Sequence, residues 1–146
     1  MVTLDVLKDK LASNARLIGL DLGTKRIGIA ICDDKRKIAS PYKTIEYKNM
    51  EYLVNELKNI IKENNIFAVI IGNPINMDGS FGKSAQSIND KAKAIEKELN
   101  LIIAMWDERL STSGAFNISS NLDINLSKRK KNIDEKAAAF ILQGAL

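Results

Sequence analysis

The period of the apolar positions changes several times along the chain. Leu4, Leu7 and Leu11 recur at helical spacing and predict a short leading helix. Arg16-Leu-Ile-Gly-Leu-Asp21 then reads as a strand ending in a carboxylate, Gly23-Thr24 as a turn, and Arg26-Ile-Gly-Ile-Ala-Ile-Cys32 as a second strand. The charged stretch Asp33 to Lys37 makes another turn. Ile38 to Tyr47 reads as a third strand, and its Pro41 favours a sheet edge, where a missing N–H costs no ladder bond. Short turns between the three predict an antiparallel meander.

Helices and apolar strands then alternate. Met50, Leu53, Val54, Leu57, Ile60 and Ile61 form one helical stripe. Ile66-Phe-Ala-Val-Ile-Ile71 is a continuous apolar run, as suits a strand covered on both faces. Asn73 to Gly82 is a long polar loop, of a kind that often carries function. Ala85, Ile88, Ala92, Ile95 and Leu99 make a second amphipathic helix, and Leu101 to Trp106 a further strand. A helix is expected from near Ser111, with Ala115, Ile118 and Leu122 on one side. A polar stretch from Ser119 to Asn132 and a closing helix, N-capped at Asn132 with Glu135 three residues on, complete the chain. The order predicts an α/β fold: a mixed five-stranded sheet, part meander and part parallel, with helices on both faces.

The length of 146 residues fits one domain over 1–146, because two halves would each be too small to bury much core. Hydrophobic residues at 45% and charged residues at 27% are ordinary globular values. No apolar run approaches a membrane span, and the acids of the first residues break up any signal-peptide pattern. With one cysteine, Cys32, no internal disulfide can form, and a cytoplasmic location is expected. On a strand, Cys32 reads as packing. A net charge of +4 permits a polyanionic partner without requiring one.

The absence of histidine excludes more. Without it there is no Ser-His-Asp or Cys-His triad, no His-ligated zinc and no imidazole base. The acids stand where strands end: Asp21 after the first, Asp107 and Glu108 after the last, and Asp134 at the start of the closing helix. Ligands in open α/β sheets gather at the C-terminal ends of strands. Carboxylates converging there repel one another unless a hard cation is shared, and oxygen-only ligation suits Mg²⁺ or Mn²⁺. One or two such ions activate water for phosphodiester cleavage without imidazole. The bland alternatives are a turn former at Asp21, a helix cap at Asp107 or Glu108, an acid in the favourable field of a helix's first turn at Asp134, and a solvated charge run at Lys128-Arg-Lys-Lys131.

Four stretches in order carry a resemblance: Ile18 to Ala30 (IGLDLGTKRIGIA), Gly72 to Ser80 (GNPINMDGS), Trp106 to Thr112 (WDERLST) and Asp134 to Gln143 (DEKAAAFILQ). Together they resemble the YqgF/RuvX family, over nearly all of 16–146. The resemblance implies a ribonuclease H-like fold and a nuclease, either maturing the 5′ end of precursor 16S rRNA or resolving Holliday junctions. It implies Asp21, Glu108 and Asp134 as the catalytic, metal-holding acids, with Asp107 a further candidate ligand that sequence cannot separate from Glu108. It implies nucleic-acid contacts from Thr24, Lys25, Arg26, Asn76, Arg109 and Thr112, to which the basic run Lys128, Arg129, Lys130 and Lys131 is added. Asn73 departs from the family pattern, where an apolar residue is usual.

Two other readings compete. Asp-Leu-Gly-Thr is also the phosphate loop of actin-like ATPases, but those clamp nucleotide between two such domains, and this chain has room for one. A non-catalytic nucleic-acid binder of the same fold gains nothing from acids facing phosphate. A resolvase of four-way DNA needs a symmetric dimer. No heptad or wide apolar stripe forecasts one here, so a monomer or weak homodimer and an RNA substrate are expected.

Overall fold

The computed structural model describes residues 1–12, 14–23, 25–73, 83–107 and 126–146, with side chains at all of these except 83–85 and 126–133. The elements are α1 (Leu4–Lys10), β1 (Arg16–Leu22), β2 (Arg26–Cys32), β3 (Ala39–Glu46), α2 (Met50–Asn64), β4 (Ile66–Asn73), α3 (Lys83–Leu99), β5 (Ile102–Asp107) and α4 (Leu126–Ala145). The expected helix near Ser111, with Ala115, Ile118 and Leu122, and most of the Asn73–Gly82 loop lie outside the described residues.

The five strands form one sheet in the order β3-β2-β1-β4-β5. β2 pairs antiparallel with β1 and with β3, whereas β4 runs parallel to both β1 and β5. This is the mixed sheet that the pattern predicts. Its parallel half puts the ends of β1, β4 and β5 at one edge. β3 is the outer strand, as Pro41 requires. Its register with β2 slips there: Ile29 faces Lys43 and Ala30 faces Pro41, leaving Tyr42 as the extra residue of a bulge.

Strand alternation sorts the core into two layers. Ile18, Leu20, Ile27, Ile29, Val69, Ile71 and Ile103 face α2 and α3, where Leu53, Leu57, Ala92 and Ile95 meet them. Leu17, Ala30, Cys32, Ala68, Ile70 and Ala104 face the other way, under Leu7 of α1 and Ala138, Ile141, Leu142 and Ala145 of α4. Each large apolar side chain so buried contributes about 1.5–3 kcal/mol. The Cys32 thiol is buried here and accepts a hydrogen bond from the Leu17 N–H at 3.1 Å, a packing role.

Caps end the helices locally. Asn49 Oδ1 accepts from the Tyr52 N–H at 2.7 Å to start α2, and Asn65, left-handed at φ 54°, stops it. α4 departs from expectation. It begins at Leu126, not at Asn132, so Lys128 to Lys131 are helical rather than part of a loop, and Asp134 lies within the helix instead of opening it. The Asn132-to-Glu135 spacing imitates a capping box. The residues before it (Leu, Lys, Arg) are good helix formers, so nothing there stops the helix. Asp134 therefore gains nothing from the field of the helix N-terminus, which fades within the first turn. Among the described residues no helix is long and apolar enough to cross a membrane.

Candidate active site

Two glycines let α4 lie flat on the sheet. A Cβ on Gly19 of β1 would sit 2.7 Å from Leu142 Cβ and 3.0 Å from the Ala138 carbonyl oxygen. A Cβ on Gly28 of β2 would overlap the Asp134 carbonyl and come within 3.0 Å of the Glu135 nitrogen. Only backbone without a side chain admits the helix at these crossings. Gly28 is also the cross-strand partner of Asp21. Paired residues of an antiparallel ladder share a face, with Cα atoms about 4.5–5.5 Å apart. Asp21 and Asp134 therefore flank Gly28 on the α4 side of the sheet, although 113 residues separate them in sequence.

Arg26 closes the arrangement. It is two residues before Gly28 on β2, hence on the same face, and its Nε donates to Asp134 Oδ2 at 2.8 Å. The Asp134 side chain is 19% exposed and that of Arg26 53%, so the pair sits at the surface with the carboxylate still reachable from solvent. Asp21 is half-buried and Lys25 exposed. Short contacts hold the turn between β1 and β2. The Gly23 N–H donates to the Arg26 carbonyl at 3.0 Å, and the Tyr47 N–H to the Lys25 carbonyl at 2.8 Å.

The two acids of the last strand's end separate by alternation. Trp106 packs on the α4 side and Met105 on the α2/α3 side. Asp107, the next residue of β5, pairs in register with Asn73, whose neighbours Val69 and Ile71 belong to the α2/α3 layer. Asp107 is thereby on the face opposite Asp21 and Asp134. Trp106 serves the core, as its strand position suggests. Asn73 is buried, and its Oδ1 has no hydrogen-bond partner among the described residues.

Glu108, Thr24, Asn76, Arg109 and Thr112 lie outside the described residues. The backbone of Lys128, Arg129, Lys130 and Lys131 is in α4, with Lys130 and Lys131 one helical turn before Asp134. Among the described residues no three acids cluster. The structure thus brings together Asp21, Arg26 and Asp134 of the sequence-derived set. It adds two residues the sequence reading missed. Gly28 lay in a recognised motif, but its role needs the cross-strand register. Lys91 is half-buried on α3, at a position that continues the apolar stripe from Ile88, and a lysine in such a stripe was the available signal. Its Nζ reaches the Gly23 carbonyl at 3.2 Å.

Comparison with known proteins identifies the family and the fold. A protein of Pelagibacter ubique (strain HTCC1062), named "Putative pre-16S rRNA nuclease", is 59% identical over 146 residues, covering 100% of this chain and 97% of that one. A protein of Acidiphilium cryptum (strain JF-5) with the same name is 41% identical over 140 residues, covering 96% and 89%. Among solved structures, Thermus thermophilus RuvC in complex with a Holliday junction substrate superposes with a TM-score of 0.53 at 9% identity, covering 88% of this chain and 91% of that one. At that identity the likeness is one of fold, and the fold is ribonuclease H-like. The model of the RuvX family, described as Holliday junction resolvase, matches residues 15–146. With that family model matching residues 15–146 and relatives matching it along nearly their whole length, this chain belongs to the RuvX family.

Proposed function

We propose that this chain is a metal-dependent nuclease that hydrolyses phosphodiester bonds in the 5′-end processing of precursor 16S rRNA, in the cytoplasm, as a monomer or weak homodimer. The observation that carries the reading is the Gly28 crossing, which sets Asp21 and Asp134 on either side of one glycine at the sheet edge. The names of the full-length relatives point to the same substrate.

Asp21, Asp134 and Glu108 would hold one or two ions of Mg²⁺ or Mn²⁺. The donor set fits, being all carboxylate oxygen in a chain without histidine. Glu108 is preferred to Asp107 because side chains alternate along β5 and Asp107 belongs to the far face. Such an ion supplies Lewis-acid activation of water and neutralises charge at the scissile phosphate. The chain's own residues do the rest. Arg26 holds Asp134 in place and offers its remaining N–H groups to phosphate, a fork geometry suited to that anion. Lys25 adds a second positive charge at the exposed turn, with Thr24 between it and Gly23. Arg109, Thr112 and Asn76 belong to the same motifs and would line the path of the strand. The basic residues Lys128 to Lys131 precede Asp134 in α4 and would draw the nucleic-acid backbone toward it.

The test is cleavage of an RNA carrying the 5′ extension of 16S rRNA, beside a four-way DNA junction, each in Mn²⁺ and in EDTA. RNA cut in Mn²⁺ only, with Asp21→Asn inactive, is the expected result. Undiminished cleavage by Asp21→Asn would overturn the assignment. A cut junction with intact RNA would move the substrate to branched DNA, and binding in EDTA without cleavage anywhere would make the chain a binder.

A further inference from the structure

The turn that would meet substrate is held from below by a residue no motif includes. Lys91 Nζ donates to the Gly23 carbonyl at 3.2 Å and lies 4.4 Å from the centre of the Tyr47 ring. Tyr47 in turn gives its N–H to the Lys25 carbonyl at 2.8 Å. The carbonyls on either side of Thr24 are therefore both anchored, one by an ammonium and one by an amide. The contact of that ammonium with the Tyr47 ring couples the two anchors. The turn follows Asp21 by two residues and ends on Arg26, the partner of Asp134. A lysine serving only solubility would have no need of these contacts, and Lys93, two residues on in α3, is exposed by comparison.

We propose that Lys91 is a positioning residue: through Gly23 and Tyr47 it fixes the β1–β2 turn so that Lys25 and Arg26 present their charges to the substrate phosphate in one geometry. The catalytic part of this rests on the nuclease reading above, whereas the holding of the turn stands apart from it. Lys91 does not touch substrate, so its effect is on binding and alignment.

The experiment compares the full chain with Lys91→Met, Lys91→Arg and Lys93→Met. Methionine keeps the apolar stem but no donor, arginine restores a donor and a cation, and Lys93→Met removes the same charge without touching the turn. Amide hydrogen exchange at Gly23 and Tyr47 should quicken about tenfold in Lys91→Met, the effect of losing one charge-assisted hydrogen bond. It should stay within about twofold in the other two. In RNA cleavage, Lys91→Met should raise KM about tenfold with kcat within about threefold, and Lys91→Arg should recover most of it. Unchanged exchange in Lys91→Met overturns the proposal, as does a KM for Lys93→Met equal to that of Lys91→Met. If the wild-type chain cuts no nucleic acid, the nuclease reading fails, and the exchange data still decide whether Lys91 holds the turn.

Discussion

The crossing of α4 over β2 gives a sharp prediction at Gly28. In Gly28→Ala the new methyl would stand 3.0 Å from the Glu135 nitrogen, with the Asp134 carbonyl nearer still. Ordinary contact begins at 3.4 Å, and the obstructing atoms are backbone, so neither neighbour can rotate away. The helix must withdraw by about an ångström, and Asp134 moves with it while Asp21 stays on β1. Overpacking of this size costs about 1–3 kcal/mol of stability. A misplacement of about an ångström at reacting groups costs on the order of 100-fold in rate. Gly19→Ala is the control. Its methyl would meet Leu142 Cβ at 2.7 Å and the Ala138 oxygen at 3.0 Å, one to two turns further along the same helix. Both variants should lose stability by thermal denaturation. Metal-dependent cleavage per folded molecule should fall about 100-fold in Gly28→Ala and far less in Gly19→Ala. Full activity in Gly28→Ala, or equal losses in both, would refute the claim that this crossing sets the catalytic geometry.

Arg26→Gln should change stability by less than about 1 kcal/mol, since the ion pair is partly exposed. It should lower RNA affinity and flatten the slope of log K against log salt by about 0.7, one phosphate contact on a single strand, as read by filter binding at several salt concentrations. Burial pushes the Cys32 thiol above its ordinary value, so iodoacetamide should label it slowly in the native protein at about pH 8 and quickly in urea. Fast native labelling would contradict its burial. The Ile38 and Lys37 N–H groups hold the exposed Asp33 carboxyl below the usual carboxylate range. The unfolded chain takes up that proton first, so the support of the β2–β3 turn is complete above the ordinary carboxylate range and fades as the pH falls below it. Amide shifts of Lys37 and Ile38 should follow that course and lose it in Asp33→Asn.

Much of the fold was legible because its signals are periodic. The alternation of β1 and β2, the unbroken apolar run at Ile66–Ile71 and the stripes of α2 and α3 each admit one reading, and Pro41 placed β3 at the edge. The start of α4 was not legible. Asn132 and Glu135 have capping-box spacing, which imitates a helix start even though the Lys128–Lys131 run before them is itself helix-forming. For the site, a strand end pointed to Asp21, whereas Asp134 was picked out as the opening of the closing helix, a position it does not hold. Sequence could not order Asp107 against Glu108, because strand phase decides which face a residue takes, and phase becomes visible once Met105 and Trp106 are seen in different layers. Gly28 and Lys91 were hidden for a related reason. Their roles lie in partners far along the chain, Asp134 for one and Gly23 for the other.

The central claim is that Asp21 helps hold a hard divalent cation at this sheet edge, and calorimetric titration of Mn²⁺ into the full chain and into Asp21→Asn tests it most directly. The account predicts saturable binding in the wild type that is lost or weakened at least tenfold in the variant, with both chains folded. Equal Mn²⁺ binding by the two would contradict it.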